Sequence, residues 1–304
     1  MAGPMKTPFS EPIPSARPLP EPVLDEDHKS KYDILLKLVK SWKEIPSESG
    51  KGGPVTEDDI FWLTRECLLR YLRATKWNVV ESEKRLLKTL SWRRDFGVDN
   101  ITADSMSVEN ETGKQILLGY DNHARPCYYL FPKNQNTTAS QSQAEHVVFM
   151  IERGIDLMGP GQETLMIVVD FNIDRRKIPS IGQSKLILDI IQNHYPERLG
   201  MGFVLNAPWA VTAFFKIMSP FMDPFTRNKL NFSGDLKSFV PREQLYKEFM
   251  GELDFQYDHN VYWPYLNKLC EERRTQRRER WIQAGKMYGE RETYLKGDGP
   301  SVGQ

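Results

Sequence analysis

The stretch that most constrains the fold is a strand with almost no polar position. Residues 165–170 read Leu-Met-Ile-Val-Val-Asp, a continuous apolar run of the kind that parallel sheets bury on both faces. Apolar side chains then repeat at helical spacing through residues 183–193, and a second apolar strand follows at residues 201–206. Strand, helix and strand in this order form a βαβ unit. We therefore predict an α/β fold with a mainly parallel sheet.

Helical patterns flank this unit. Apolar residues at helical spacing predict helices over 29–42 and 140–158 and a helical module over 56–97, and β-like runs at 114–119 and 127–131 predict a hairpin or adjacent strands. The proline-rich first 28 residues predict a disordered tail, and residues 271–280, which are charged and lack an apolar stripe, predict a solvated helix. The predicted divisions are this tail at 1–28, a short helix and linker at 29–55, a helical module at 56–105, a sheet domain at 106–266, and a charged helix and tail at 267–304.

Composition excludes several classes of function. Lys and Arg total 41, as do Asp and Glu, so no net positive field gathers nucleic acid. The three cysteines (Cys67, Cys127, Cys270) and five histidines (His28, His123, His146, His194, His259) show no metal-ligand spacing, and the free thiols fit a reducing cytosol. The glycine pairs lack a dinucleotide fingerprint and no nucleophile elbow is present. We expect no enzymatic activity and no cofactor or metal.

The segment from residue 207 to residue 221 carries one charge, Lys216, and its large apolar side chains cover more than one helical face. It is too short to cross a bilayer, since a span needs roughly 18 apolar residues. A helix this apolar must be buried or meet lipid. It is therefore either a plain core helix or a lid that contacts membranes peripherally.

Four motifs in order suggest a family. Residues 67–77 read CLLRYLRATKW, residues 91–97 read SWRRDFG, residues 195–200 read YPERLG and residues 220–224 read PFMDP. In these the chain resembles CRAL-TRIO domain proteins, specifically fungal secretory-pathway-type phosphatidylinositol transfer proteins. Residues 206–209 (NAPW), the Trp263-Pro264 pair and the long N-terminal extension resemble the pleiotropic-drug-resistance subtype. The resemblance implies the CRAL-TRIO fold, in which a helical N-terminal module packs on a mainly parallel sheet domain with a hydrophobic gate helix.

The resemblance also implies a headgroup site. Inositol hydroxyls need acceptors such as carboxylates, and a phosphodiester needs cationic donors. The family pattern places Glu197 and Lys229 at that site, with Asp121, Lys76, Thr75 and Arg198 as further headgroup residues. Thr75 stands where the family often has an arginine. The alternatives are an ordinary Glu197–Lys229 salt bridge, a turn acid at Asp121 and a surface lysine at Lys76.

By the same resemblance, the lipid cavity is lined by Tyr128, Leu165, Ile167, Val169, Phe203 and Leu205, and the gate helix presents Trp209, Phe214, Phe215, Ile217, Met218 and Phe221, with hinges near Pro208 and Pro220. Relatives that exchange phosphatidylcholine carry hydroxyls at the positions of Leu165 and Ile167. A buried phosphate without donors is costly, so we expect little phosphatidylcholine binding. The apolar lining and the subtype favour a sterol, such as an ergosterol-like one, or another neutral lipid as second ligand.

The resulting interpretation is a cytoplasmic protein that exchanges phosphatidylinositol between membranes and associates peripherally with the endoplasmic reticulum, lipid droplets or the plasma membrane. The alternative is an adaptor that presents the lipid to a lipid kinase or docks a partner through basic residues 273–280. The sequence leaves open whether the protein forms a homodimer. Haem ligation, known in some relatives, would rest on Tyr128, Tyr129 and His146.

Overall fold

In the part of the chain that the structure describes, five strands form one sheet, in which they lie in the same order as along the chain. The computed structural model describes residues 3–172, 181–219, 227–232 and 234–303. The strands are β3 Gln115–Tyr120, β4 Pro126–Leu130, β5 Leu165–Asp170, β6 Leu199–Leu205 and β7 Leu230–Asn231, and a separate antiparallel pair joins β1 Glu44–Ile45 to β2 Gly53–Pro54. β3 and β4 are antiparallel, and every other pair in the large sheet is parallel. This is the predicted mainly parallel α/β architecture.

Helices connect the strands and build the N-terminal module. They are α1 Glu26–Ser41, α2 Glu57–Trp62, α3 Arg65–Ala74, α4 Val79–Phe96, α5 Ala103–Asn110, α6 Gln141–Leu157, α7 Ile181–His194, α8 Trp209–Met218, α9 His259–Gln283 and α10 Glu292–Leu295. Local sequence explains the ends of the module's helices. Thr56 and Asp59 form a capping box at α2, and Gly97 ends α4 in the left-handed region at φ 76°.

The sheet has two differently covered faces. Leu165 on β5 lies against Gly154 of α6, so α6 covers the face that also carries Ile167 and Val169. The crossovers through α7 and α8 belong on the same face because such connections are right-handed. The opposite face carries Tyr129 and Phe203 and is covered by residues 236–249, since Phe203 lies 5.2 Å from Phe239 and Tyr129 lies 5.6 Å from Tyr246 (ring centroids).

The N-terminal segment differs from its prediction as a disordered tail. Its described part is an extended strap bound to the domain: the Met5 amide donates to Asp254 O, and the Ser10 and Glu11 carbonyls accept from the Tyr120 hydroxyl and the Gln244 amide. A proline-rich chain is extended and leaves its carbonyls free. Here the carbonyls accept hydrogen bonds from residues that are distant in sequence, and no local sequence pattern predicts such donors.

Helix α9 is also not the solvated helix that its charge predicts. Cys270 and Trp281 are buried, and Arg273, Arg277, Arg278 and Arg280 between them are half-buried. Arg273 donates to Leu157 O at 2.8 Å, and Arg277 forms an ion pair with Asp156. The helix lacks an apolar stripe because ion pairs provide much of its packing. Residues 273–280 therefore do not form a freely exposed basic tail.

Candidate functional site

The turn between α7 and β6 carries Glu197 at the amino end of a parallel strand. Glu197 has φ 58°, a left-handed conformation that is unusual for a residue with a Cβ. Neighbouring contacts hold this conformation. The His194 ring stacks on Trp92 of α4 with centroids 4.1 Å apart, and the Tyr71 hydroxyl of α3 donates to His194 O. Burial and nearby cations lower the pKa of His194 to about 3, so the stacked ring is neutral near pH 7.

Tyr195, the residue after His194, fixes the turn through an ion pair between buried Arg93 and half-buried Glu152. The Tyr195 hydroxyl donates to Glu152 of α6 at 2.7 Å, and Arg93 of α4 donates to the same carboxylate at 2.7 Å. Burial alone would raise the pKa of Glu152, but Arg93 and Tyr195 hold it down to about 2. The Glu152 charge thus joins the helical module, the sheet domain and the turn that carries Glu197.

Lys229 lies beside this turn, directly before the neighbouring strand β7. Its carbonyl accepts from the Gly202 amide at 2.8 Å, which aligns β7 beside β6. The Lys229 Nζ then lies 3.9 Å from Glu197 Oε2, with side chains 28% and 34% exposed. A pair that is accessible to solvent to this extent contributes about 0–1 kcal/mol to stability. The structure therefore brings together the two predicted headgroup residues, and their ion pair contributes little to the stability of the fold.

Asp121 has the contacts expected of the alternative interpretation, an acid that stabilises its own turn. It is buried in the β3–β4 turn, where its carboxylate accepts from the backbone amides of His123 and Arg125 and lies 3.2 Å from the Arg125 guanidinium. Burial raises the pKa of Asp121, although these donors oppose the rise. The carboxylate oxygens of Asp121 therefore accept hydrogen bonds from within its own turn. No contact joins it to Glu197 or Lys229 within the described residues.

The remaining predicted headgroup residues also do not contact Glu197 or Lys229 within the described residues. The Thr75 hydroxyl bonds to Tyr71 O and Ser82 Oγ at the end of α3, and Lys76 is exposed with φ 53°. Arg198 donates to Glu163 O at 2.9 Å and lies 3.9 Å from Glu292, away from Glu197.

The predicted cavity residues divide between the two faces. Tyr128 and Ile167 are register partners and share the face under α6 with Leu165 and Val169. Ile167 and Val169 are half-buried there, whereas Val168 on the other face is buried. This face is the candidate acyl-chain floor.

Phe203 and Leu205, also predicted to line the cavity, lie on the other face of the sheet. They pair with Val168 and Asp170 and point to the face covered by residues 236–249. A strand alternates with period two, so a run that is apolar at every position does not reveal which residues face the ligand. The same alternation separates Tyr128 from Tyr129, which therefore cannot ligate one haem together.

Helix α8 has one apolar face in solvent. Trp209 is 74% and Ile217 is 68% exposed, and Lys216 beside them is exposed too. Val211 is buried, and Phe215 packs edge-on to Phe232 with ring centroids 5.3 Å apart. The side chains of Phe214 and Met218, as well as Pro220 and Phe221, lie outside the described residues. No helix in the described part of the chain is long and apolar enough to span a membrane.

Comparison with known families agrees with this architecture. The CRAL/TRIO N-terminal domain matches residues 31–88 and the CRAL/TRIO domain matches residues 110–251. The chain therefore belongs to the CRAL/TRIO family, which confirms the predicted family and fold.

Two fungal relatives and one solved structure show how far the similarity extends. A CRAL-TRIO domain-containing protein of Schizosaccharomyces pombe is 50% identical over 277 residues, which cover 90% of this chain but only 28% of that protein. The phosphatidylinositol transfer protein PDR17 of Saccharomyces cerevisiae is 39% identical over 302 residues, or 92% of this chain and 86% of that protein, in agreement with the predicted subtype. The crystal structure of Sfh5 matches the fold with a TM-score of 0.55 at 15% identity, covering 84% of this chain and 99% of that one.

Sequence reasoning missed the link from Arg93 through Glu152 to Tyr195. Two of these residues stand in motifs that carried the family resemblance, since Arg93 lies in residues 91–97 and Tyr195 in residues 195–200. Glu152 lies in a helix that shows only an apolar periodicity. A glutamate that directly follows five apolar helical residues, 147–151, is the signal that could have indicated an ion pair.

The setting of Asp121 generates a prediction. Asp121→Ala leaves the buried Arg125 unpaired, so the free energy of unfolding should fall by about 3–5 kcal/mol. Urea denaturation measures this loss, and Asp33→Ala on the exposed face of α1 is the control. Lipid transfer per folded molecule should be unchanged. A variant of normal stability that no longer transfers phosphatidylinositol would instead return Asp121 to the headgroup site.

Proposed function

We propose that this protein binds one phosphatidylinositol and exchanges it between membranes without covalent chemistry. The observation that supports this most is the partly exposed Glu197–Lys229 pair at the edge of a sheet whose adjoining face is apolar. Lys229 can pair with the anionic phosphodiester while Glu197 accepts from inositol hydroxyls. Relatives named phosphatidylinositol transfer proteins, among them PDR17 of Saccharomyces cerevisiae, support the same ligand.

The acyl chains would lie on the face that carries Ile167 and Val169, beneath α6 and α8. Both side chains are half-buried, so this apolar surface is not fully covered within the described residues. Neither Leu165 nor Ile167 can donate a hydrogen bond to a choline-lipid phosphate. We propose that the cavity excludes phosphatidylcholine and accepts a sterol or another neutral lipid as a second ligand.

The exposed face of α8 would dock on membranes. Trp209 and Ile217 can insert among acyl chains, and Lys216 beside them can approach anionic headgroups. Opening of α8 as a gate would then uncover the cavity and limit the exchange rate. The protein would be peripheral to cytoplasmic membrane surfaces. An adaptor that presents the lipid to a kinase is the alternative, and transfer between pure vesicles with no partner protein discriminates the two.

The headgroup pair gives the first test of this function. Glu197→Gln and Lys229→Met should each reduce the affinity for phosphatidylinositol by roughly 30- to 4,000-fold, because losing one partner of a charged site costs about 2–5 kcal/mol. Transfer of labelled phosphatidylinositol between vesicles reports the loss. Asp235→Asn and Lys237→Met alter another exposed pair of similar length, 3.8 Å, and serve as controls. Normal transfer by either folded site variant would refute the assignment.

Lipid selectivity gives the second test. Mass spectrometry of lipids extracted from the purified protein should find phosphatidylinositol and a neutral lipid well above phosphatidylcholine. Leu165→Ser combined with Ile167→Thr supplies hydroxyl donors to the cavity face and should raise the phosphatidylcholine fraction. Met166→Ser with Val168→Thr on the opposite face is the control and should not. Comparable amounts of the two phospholipids in the unaltered protein would contradict the proposal.

The exposed face of α8 gives the third test. Ile217→Glu replaces an apolar contact worth roughly 1.5–3 kcal/mol, so vesicle association should weaken by about 10- to 150-fold and exchange should slow. Val80→Glu on α4 alters a side chain of similar exposure, 70%, and controls for added charge. Vesicle flotation measures association. If both variants bind vesicles equally well, α8 is a plain surface helix and the gate proposal fails.

A further inference from the structure

A cavity lies at the carboxyl edge of the sheet, on the face opposite the proposed acyl-chain floor. Asp170 at the end of β5 and Leu205 at the end of β6 line it, together with Phe232, residues 234–236 and residues 248–250. Its volume is about 680 Å³, within the range of about 300–1,000 Å³ that is typical of ligand sites. Ligands of open α/β sheets commonly bind outside the carboxyl ends of the strands. The cavity therefore lies where a ligand is expected.

The cavity contains a buried carboxylate that is only partly satisfied. Asp170 is 3% exposed. Its Oδ1 accepts from the Asn206 side-chain amide at 2.7 Å and from the Asn172 backbone amide at 3.1 Å. Its Oδ2 has no hydrogen-bond or ion-pair partner within the described residues. Because a buried charge is costly unless it is paired, Asp170 favours a ligand that brings a cation.

The lysines beside the cavity are engaged with other carboxylates. Lys133 Nζ lies 4.0 Å from Glu248, and Lys237 Nζ lies 3.8 Å from Asp235. Each of these two rim carboxylates thus has a cation beside it, whereas Asp170 forms no ion pair within the described residues. The described part of the lining therefore leaves one buried carboxylate without a cation.

A second acceptor lies beside this carboxylate. Asn206 has φ 50°, a left-handed conformation that asparagine tolerates better than most residues. Its Nδ2 donates to Asp170, so its Oδ1 is left to accept from a ligand. A guanidinium presents several donors in one plane, and an ammonium presents several around one nitrogen. A cationic side chain can therefore bond to Asp170 Oδ2 and Asn206 Oδ1 together.

Exposed apolar side chains border the same cavity. Phe232 is 46% and Met250 is 66% exposed, and both line the cavity. Met250 has φ 66°, a left-handed conformation that is unusual for a residue with a Cβ. Exposed apolar side chains rimmed by polar groups are typical of protein interfaces. The cavity therefore offers an apolar contact surface as well as a site for a cation.

We propose that this cavity binds a segment of a partner protein that places an arginine or lysine beside Asp170 and apolar side chains on Phe232 and Met250. A small free cation would leave these apolar side chains without a contact. The described lining carries three carboxylates and one lysine, which disfavours an anionic membrane surface. Ile167 and Val169 lie on the other face of the sheet, so the partner and a lipid can bind at the same time. Partner binding here requires no particular lipid on the acyl-chain floor.

Selection of random dodecapeptides displayed on phage, against the immobilised full chain, tests the proposal. We expect the enriched peptides to carry arginine or lysine next to apolar residues, and the strongest of them to bind saturably in fluorescence anisotropy. Replacing its cationic residue by an uncharged analogue, citrulline for arginine or norleucine for lysine, should weaken binding by about 10- to 150-fold, the effect of losing a hydrogen bond to a charged group. Asp170→Asn should cause a similar loss with the parent peptide and no further loss with the uncharged one.

Two other variants keep Asp170 and its bond to Asn206 in place. Met250→Gly removes an apolar side chain, and glycine adopts φ 66° without strain, so the fold is kept while peptide affinity should fall by about 10-fold or more. Glu252→Gln alters a side chain that is 57% exposed and does not line the cavity, so affinity should be unchanged. Thermal unfolding verifies that all three variants are folded.

Several results would overturn the proposal. They are no enrichment of cationic peptides, equal affinity for the parent and the uncharged peptide, or an equal loss in Glu252→Gln. Flotation with vesicles of phosphatidylethanolamine and phosphatidylcholine that is lost in Asp170→Asn would assign the cavity to a lipid amine instead. The chain itself carries a basic run at residues 175–177 (RRK). Peptide binding that appears only when these three residues are replaced by glutamine would assign the cavity to this segment rather than to a partner.

Discussion

The Glu152 carboxylate joins three parts of the protein. It accepts from Arg93 of the helical module and from Tyr195 of the turn before β6, and it projects from α6 on the sheet domain. Breaking a buried pair by removing one partner costs several kcal/mol. The left-handed conformation of Glu197 depends on this link, since residues 194 and 195 are held on one side and β6 pairing holds residue 199 on the other.

The site therefore combines a rigid support with a weakly held pair. The Glu197–Lys229 contact is partly exposed and 3.9 Å long, so it contributes little to folding. Its neighbours are fixed by strand pairing and by the Glu152 link. Such an arrangement pre-organises two opposite charges that interact only weakly with each other, so both can bind a ligand. It suits a ligand that has both hydroxyls and an anionic phosphate, and the apolar sheet face beside it suits acyl chains.

Much of this could be predicted from the sequence because the signals are local. The apolar run at residues 165–170, the helix after it and the strand beyond it specify the parallel pairing of β5 with β6, at whose amino end Glu197 lies. Strand β7, which follows Lys229, showed no such signal, so the nearness of Lys229 to Glu197 was predicted only through the family resemblance. Helix caps such as Thr56 and Gly97 also act within a few residues. Motifs in order then indicated the family, and the comparisons confirmed it.

What could not be predicted depends on partners that are distant in sequence. The strap binds through carbonyls such as Ser10 O, which carry no side-chain signal. Arg273 and Arg277 resemble solvated charges until Leu157 O and Asp156 are brought beside them. Asp121 was assigned to the headgroup by resemblance, but Arg125 four residues later takes its charge. Phe203 and Leu205 lie on the opposite sheet face from Tyr128 and Ile167, a division that a wholly apolar strand does not reveal in sequence.

Photocrosslinking tests the central claim, the position of the headgroup, most directly. Phosphatidylinositol carrying a diazirine on its inositol ring would be loaded into the protein, irradiated and mapped by peptide mass spectrometry. The account predicts labels in the peptides that contain Glu197 and Lys229, the pair 3.9 Å apart at the sheet edge. Labels confined to the end of α3 at Thr75 and Lys76, or to the β3–β4 turn at Asp121, would contradict it.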